Sequence, residues 1–236
     1  MRHLIPEEEE RVRAWYVINE LIKNNLYNCL AYKEYSREGD SPADSWIDEN
    51  LVLLANLHLR FSSGCTKVCI FDEENPYWVI KIGFIRSTSE YFVKNNLCFD
   101  FVEKEVEFYA RAVDKKLDKF FAATYKLGEV FGMTVCLQEA VSPDCGMLED
   151  IFSDYVSDWY SKDSFSSEDD YNDQVWSDVE DLGNDDRIYA IFGSGEEAQN
   201  LVDFIDENEI NDLHGGNWGV TEDNSIVMMD FSGFVD

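Results

Sequence analysis

The sequence is poor in positive charge. Lys and Arg number 19 against 49 Asp and Glu, for a formal net charge of −30. A nucleic-acid backbone is held by clustered cations, so this balance argues against direct nucleic-acid binding; it suits basic protein partners reached by electrostatic steering and, equally, solubility alone. Long apolar runs are also missing: none approaches the roughly 18 residues of a membrane span. The start, Met1 to Glu10, lacks the basic residues and apolar stretch of a secretory signal. The six cysteines (29, 65, 69, 98, 136 and 145) follow no framework spacing. They read as reduced thiols in a cytosolic protein. Cys65 and Cys69 have no second Cys/His pair downstream, which argues against a zinc site. What is present is apolar substance, with 45% hydrophobic residues in 236. That suffices for one domain of two lobes or two small domains.

Hydrophobic spacing sets the expected elements. Val12, Trp15, Tyr16, Ile18, Leu21, Ile22 and Leu26 recur at three- and four-residue steps, which predicts a helix over 7–33. Pro6 and four glutamates stand at its start, where acidic groups suit the helix dipole. A second helix is expected from about 45 to 58. Lys67–Phe71 and Trp78–Gly83 read as strands joined by the turn Asp72-Glu73-Glu74-Asn75-Pro76. Residues 100–118 return to helical spacing, and 123–129 and 134–139 read as two further strands. From 144 to 186 the chain carries fifteen Asp or Glu against one Lys, with aromatics scattered through it. Disordered tracts have few aromatics, so helical pieces around an exposed acidic loop near 161–173 are expected. A helix over 187–208 and a hairpin over 220–229 complete the pattern.

The chemistry-bearing residues stand in a fixed order. Asp212-Leu213-His214-Gly215-Gly216-Asn217 places an Asn five residues after an Asp. The hairpin Val220–Met229, turning at Glu222-Asp223-Asn224, delivers Asp230 thirteen residues after Asn217. Asp230-Phe231-Ser232-Gly233 follows. Upstream lie Trp78-Val79-Ile80-Lys81 and, on the next helix, Lys104-Glu105-Val106-Glu107. Phosphoryl transfer needs a carboxylate to orient the incoming hydroxyl, a cation on the phosphates and oxygen ligands for Mg²⁺. Protein kinases set out these parts in this order. On that frame Asp212 orients the hydroxyl, while Asn217 and Asp230 hold Mg²⁺. Lys81 binds the α- and β-phosphates of ATP and is held by Glu105, with Glu103 and Glu107 as neighbouring alternatives. Ser62-Ser63-Gly64-Cys65-Thr66-Lys67-Val68 is the expected phosphate-covering loop, through Gly64. Gln138-Glu139-Ala140 is the expected hinge, with the backbone of Glu139 and Ala140 pairing with adenine. Taken singly, each residue has a plainer reading: Lys81 as a snorkelling surface lysine, Glu105 as a solvated helix residue, Asp230 as a turn cap. The joint order is what favours the chemistry.

Phe61–Gly83 and Asn211–Phe234 resemble the small early serine/threonine kinases of short-tailed lytic bacteriophages. The lysine strand is similar through Val79-Ile80-Lys81-Ile82-Gly83-Phe84, and the catalytic loop through Asp212 to Asn217. The motifs cover about a fifth of the chain. The resemblance implies an α+β, protein-kinase-like two-lobed fold. It would comprise an N-terminal helical extension (1–58), an N-lobe of a sheet plus one helix (59–141) and a minimal, mostly helical acidic C-lobe (142–236). It also implies phosphorylation of host proteins, including transcription and RNA-processing machinery, in the cytoplasm of an infected bacterium. Ile210-Asn211 stands where most eukaryotic kinases have His-Arg. No activation segment or Ala-Pro-Glu follows Gly233 in this sequence. Either substrate docks elsewhere, on 144–186 or the N-terminal helices, or transfer is reduced. A further C-terminal region is a plausible implication of the resemblance.

Other functions compete. The charge of −30 suits a kinase-like acidic protein that binds and inhibits a basic host protein as a nucleic-acid mimic or decoy. Small-molecule kinases share the Asp-to-Asn loop but use a helical C-terminal region to build the acceptor pocket. Transfer of AMP instead of phosphate is a further alternative.

Overall fold

In the computed structural model the described residues are 4–32, 42–63, 66–86, 100–143, 195–208, 210 and 215–231. The chain is α+β. Its centre is a five-stranded antiparallel sheet of β2 (Leu59–Ser63), β3 (Lys67–Asp72), β4 (Trp78–Gly83), β6 (Thr124–Val130) and β7 (Met133–Glu139), in the order β2-β3-β4-β7-β6. Every residue of β4 is buried, as befits the middle strand. The 2–3, 3–4 and 6–7 connections make each neighbouring pair local, except for β4 against β7. Between those two the chain inserts the helix α5 (Phe101–Asp114). Two shorter strands, β1 (Ala31–Tyr32) and β5 (Ile85–Arg86), pair in parallel.

The N-terminal periodicity is interrupted. Helix α1 covers Glu8–Lys23 and a short α2 covers Leu26–Leu30, because Asn25 takes a left-handed conformation at φ 60°. Asparagine tolerates that region better than most residues. The expected helix over 45–58 is likewise two pieces, α3 (Pro42–Glu49) and α4 (Leu51–Asn56), divided at Asn50. His58, at φ 57°, then turns the chain into β2, a strand the spacing did not announce.

Helix α1 is bound to the sheet at several points. Arg13 forks onto Asp72 of β3, donating from Nε to Oδ2 at 2.6 Å and from Nη2 to Oδ1 at 3.0 Å. The Trp78 indole donates to Glu10 Oε2 at 3.0 Å. Trp15 lies against Gly128 of β6 so closely that a Cβ there would sit 2.6 Å from the ring. One continuous apolar cluster runs from Ala14 and Ile18 through Ile70, Ile80 and Leu137 to Phe204, Trp218 and Phe231. It therefore joins residues on both sides of the 58/59 and 141/142 boundaries.

The remaining described elements form a smaller layer. Helix α6 (Gly195–Glu207) packs Phe204 edge-on against Phe121, with ring centroids 5.5 Å apart. β8 (Ser142–Pro143), β9 (Trp218–Val220) and β10 (Ile226–Met228) make a three-stranded antiparallel sheet in the order β10-β9-β8. The β9–β10 turn has Asn224 at φ 62° and is closed by Thr221 and Ser225. Gly219 is needed here: a Cβ would meet Val141 Cγ2 at 2.6 Å and the Ser142 carbonyl oxygen at 2.9 Å. The expected helix start at 187 and the acidic stretch 144–186 lie outside the described residues. Among the described residues no helix is long and apolar enough to cross a membrane.

Candidate functional site

Two lysines of the sheet share one glutamate of α5. The register pairs Cys69 with Lys81 across β3 and β4. Lys67 and Lys81 are thus diagonal neighbours on one sheet face, within reach of a common partner. Glu105 meets them from α5, whose buried positions Phe101, Val102, Glu105, Phe108, Tyr109 and Ala112 form its sheet-facing stripe. The helix starts where Asp100 Oδ1 caps the N–H groups of Val102 and Glu103, at 3.2 Å each. Asp100 Oδ2 also accepts from Thr134 N of β7, at 2.5 Å, so the cap itself ties α5 to the sheet.

Glu105 is fully buried. Its Oε1 accepts from Lys67 Nζ at 2.6 Å and its Oε2 from Lys81 Nζ at 3.0 Å. Gln138 Nε2 stands 3.4 Å from Oε2 and donates to Thr124 Oγ1 at 3.0 Å. Glu103 and Glu107 are exposed, with about half of each side chain in solvent. Glu105 is therefore the one of the three that meets Lys81.

The lysines also reach the Asp230 segment. Lys81 Nζ donates to the Met229 carbonyl at 2.6 Å, and Lys67 Nζ donates to Asp230 Oδ1 at 2.6 Å. Asp230 is held in turn by Asn217, whose backbone oxygen accepts from Met229 N at 2.7 Å and Asp230 N at 3.3 Å. Phe231, fully buried, anchors the far side edge-on against Phe121, with centroids 5.1 Å apart. β10 is bound to the segment before β6 by Ala122 N donating to the Met228 carbonyl at 2.8 Å. Strand, helix and hairpin converge on four charged groups.

Electrostatics follow from burial and charge. Burial favours neutral lysines, yet the Glu105 and Asp230 carboxylates outweigh it, and both Lys67 and Lys81 lie above the ordinary lysine value. Burial pushes the Glu105 carboxyl up, and the two lysine charges oppose that. With an ammonium group on each oxygen, the ionised form is the one this geometry accommodates. Asp230 is pulled the other way: burial would raise it, but Lys67 and Lys81 hold it well below the carboxylate range.

Asp230 supplies a carboxylate of the kind a hard cation prefers, with the Asn217 backbone bonded to its N–H, while among the described residues no group of three or more His, Cys, Asp or Glu is placed to hold a metal ion. Asp230 already accepts a cation, the Lys67 ammonium. A single carboxylate that holds an ammonium group is compatible with Mg²⁺ whose other ligands come from water and substrate phosphates. Asp212 and Gly64 lie outside the described residues, as does His214. The expected hinge residues already use their backbone N–H groups within the fold. Glu139 N donates to the Ala123 carbonyl at 2.7 Å and Ala140 N to the Tyr77 carbonyl at 2.8 Å. Neither N–H is open to a base, so any pairing of these residues with adenine would use other groups.

Lys67 is the residue that sequence reasoning passed over, taken as the start of a strand and a member of the expected phosphate-covering loop but given no role in the chemistry. Its signal was there. Like Lys81, it is a lysine within an apolar strand, beside Val68-Cys69-Ile70-Phe71. Comparison of the chain with protein-family models, with curated proteins and with solved structures gives no match.

Proposed function

We propose that this chain transfers the γ-phosphoryl group of ATP, with Mg²⁺, to serine or threonine hydroxyls of proteins. The observation that carries the reading is the buried Lys81–Glu105 pair placed against the Asn217–Asp230 segment. An ammonium group fixed by a carboxylate and a second carboxylate for the metal are two static parts that phosphoryl transfer asks of a protein. The kinase-like two-lobed arrangement belongs to this proposal. So does the resemblance to phage kinases carried by Val79–Phe84 and Asp212–Asn217, with host transcription or RNA-processing proteins as acceptors in the bacterial cytoplasm.

In this reading Lys81 binds phosphate oxygens and is kept extended by Glu105. Asn217 and Asp230 would hold Mg²⁺, which would neutralise phosphate charge when bound. Asp212 orients the acceptor hydroxyl and takes its proton. The hydroxyl oxygen forms the new bond to phosphorus as the bond to the β-phosphate oxygen breaks, and ADP leaves. The test is incubation with γ-labelled ATP and Mg²⁺, alone and with bacterial lysate. Label in the wild type that Asp212→Ala and Asp230→Ala both lose is expected, with a fall of at least about a hundredfold, the scale of removing a positioned charge. No label from folded wild type would overturn the reading.

The charge of −30 favours a second reading, an acidic decoy on a basic host protein. Under it, Asp212→Ala keeps function while neutralising the acidic face abolishes it.

A further inference from the structure

We propose that Lys67 is a built-in counter-cation of the metal carboxylate: it holds Asp230 while the site is empty of nucleotide, then turns to the phosphate oxygens of a nucleoside triphosphate. The inference rests on the phosphotransfer reading and extends it to a residue that reading does not use.

The two lysines are not equivalent. Lys81 donates to Glu105 and to the Met229 carbonyl, so it braces helix against hairpin. Lys67 bridges the carboxylates themselves, at 2.6 Å to Glu105 and 2.6 Å to Asp230. The two ends of that bridge differ in exposure. The Glu105 side chain is fully buried, whereas the Asp230 side chain is 34% exposed. The Glu105 end would lose an ion pair with no water to replace it, which is costly. The Asp230 end faces solvent and is the one that can exchange. Lys67 is also the first residue of β3. It follows in sequence the 62–66 segment expected to cover the phosphates.

The charges are consistent with an exchange. Two ammonium groups and two carboxylates balance in the described site. A divalent cation on the Asp230 carboxylate would stand within a few ångströms of the Lys67 ammonium and be repelled by it. When metal and triphosphate bind, Lys67 gives up Asp230 and finds a new anion in the phosphates, while keeping Glu105. Lys67 then makes metal binding depend on nucleotide, because only the triphosphate supplies its alternative partner.

The experiment is a Mn²⁺ titration by electron paramagnetic resonance, without and with ATP, on wild type, Lys67→Met, Lys67→Gln, Lys67→Arg and Asp230→Asn. Circular dichroism confirms that each is folded. Removing the competing cation should tighten nucleotide-free Mn²⁺ binding in Lys67→Met and Lys67→Gln by about tenfold, the scale of one exchanged ion pair. Their ATP affinity should fall by a similar factor, and Lys67→Arg should behave as wild type in the first measurement. Unchanged or weaker Mn²⁺ binding in the folded Met and Gln variants overturns the proposal. Tighter Mn²⁺ binding with unchanged ATP affinity overturns its phosphate half. Mn²⁺ bound by wild type and lost in Asp230→Asn upholds the metal reading whatever Lys67 does. No Mn²⁺ binding by any protein, with or without ATP, overturns both.

Discussion

At the scale of single residues the molecule buries groups that ionise, and each burial has a sign. Cys29 lies in the core with no exposed surface, and burial, aided by the nearby Asp44 charge, pushes its thiol up to about 12 from 9.0. Below pH 9 the thiol is protonated in folded and unfolded chains alike and adds no pH dependence. Above it, the unfolded chain gives up the proton that the folded chain keeps. The unfolded state then binds fewer protons, and stability falls by up to about 1.4 kcal/mol per pH unit until about pH 12. Cys136, also buried, acts in the same direction. Chemical denaturation at pH 8, 9, 10 and 11 should therefore show a steeper loss for wild type than for Cys29→Ala, and equal slopes would refute the assignment. The candidate site was legible at this scale only in part. Glu105 could be separated from Glu103 and Glu107 by the spacing of Phe101, Phe108, Tyr109 and Ala112, which puts Glu105 on the apolar stripe. Lys67 could not be placed in the same way. Its partners come from 38 and 163 residues away, and only strand register and hairpin position bring them together.

Elements were legible where the pattern is local and obscure where a contact between distant segments decides. The α5 helix, the β3–β4 and β6–β7 hairpins and the β9–β10 turn follow from spacing and turn residues. The break at Asn25 does not, since Leu26 and Leu30 continue the apolar rhythm of α1 across it. β2 was hidden because its alternation is short and runs into the loop after it. Nothing in the sequence marked Gly128 as a contact point, yet α1 rests there. A Cβ at 128 would lie 2.6 Å from Cζ2 of Trp15, at the register shift between Lys126 and Gly128. Overfilling a packed contact costs about 1–3 kcal/mol, so Gly128→Ala should destabilise by that amount in urea unfolding. In a Trp15→Leu background the same substitution should cost less than half as much, because the ring it strikes is gone. Additive effects of the two changes would mean that Gly128 acts through its backbone and not through Trp15.

At the scale of the whole molecule the charge pattern is lopsided outside and balanced inside. Two of the nineteen basic side chains, Lys67 and Lys81, are spent in the buried site, opposite Glu105 and Asp230. The outer surface keeps an excess of carboxylates, and ion pairs there such as Lys126–Glu129 and Arg111–Glu107 are exposed and individually weak. Such a surface repels itself, which lowers the stability of the compact state and is relieved by salt. At about 0.01 M ionic strength charges are felt over roughly 30 Å, and at about 1 M over roughly 3 Å. Raising NaCl over that range should raise the melting temperature, where a protein held mainly by surface ion pairs would lose stability. The buried site should respond little, because Lys67, Lys81 and Glu105 are shielded from solvent and Asp230 alone is partly exposed. A comparison with the Lys67→Met variant tests that separation. If internal balance and surface repulsion are independent, wild type and variant gain stability with salt in parallel. A salt gain that differs markedly between them would show that the Lys67 charge is sensed at the surface.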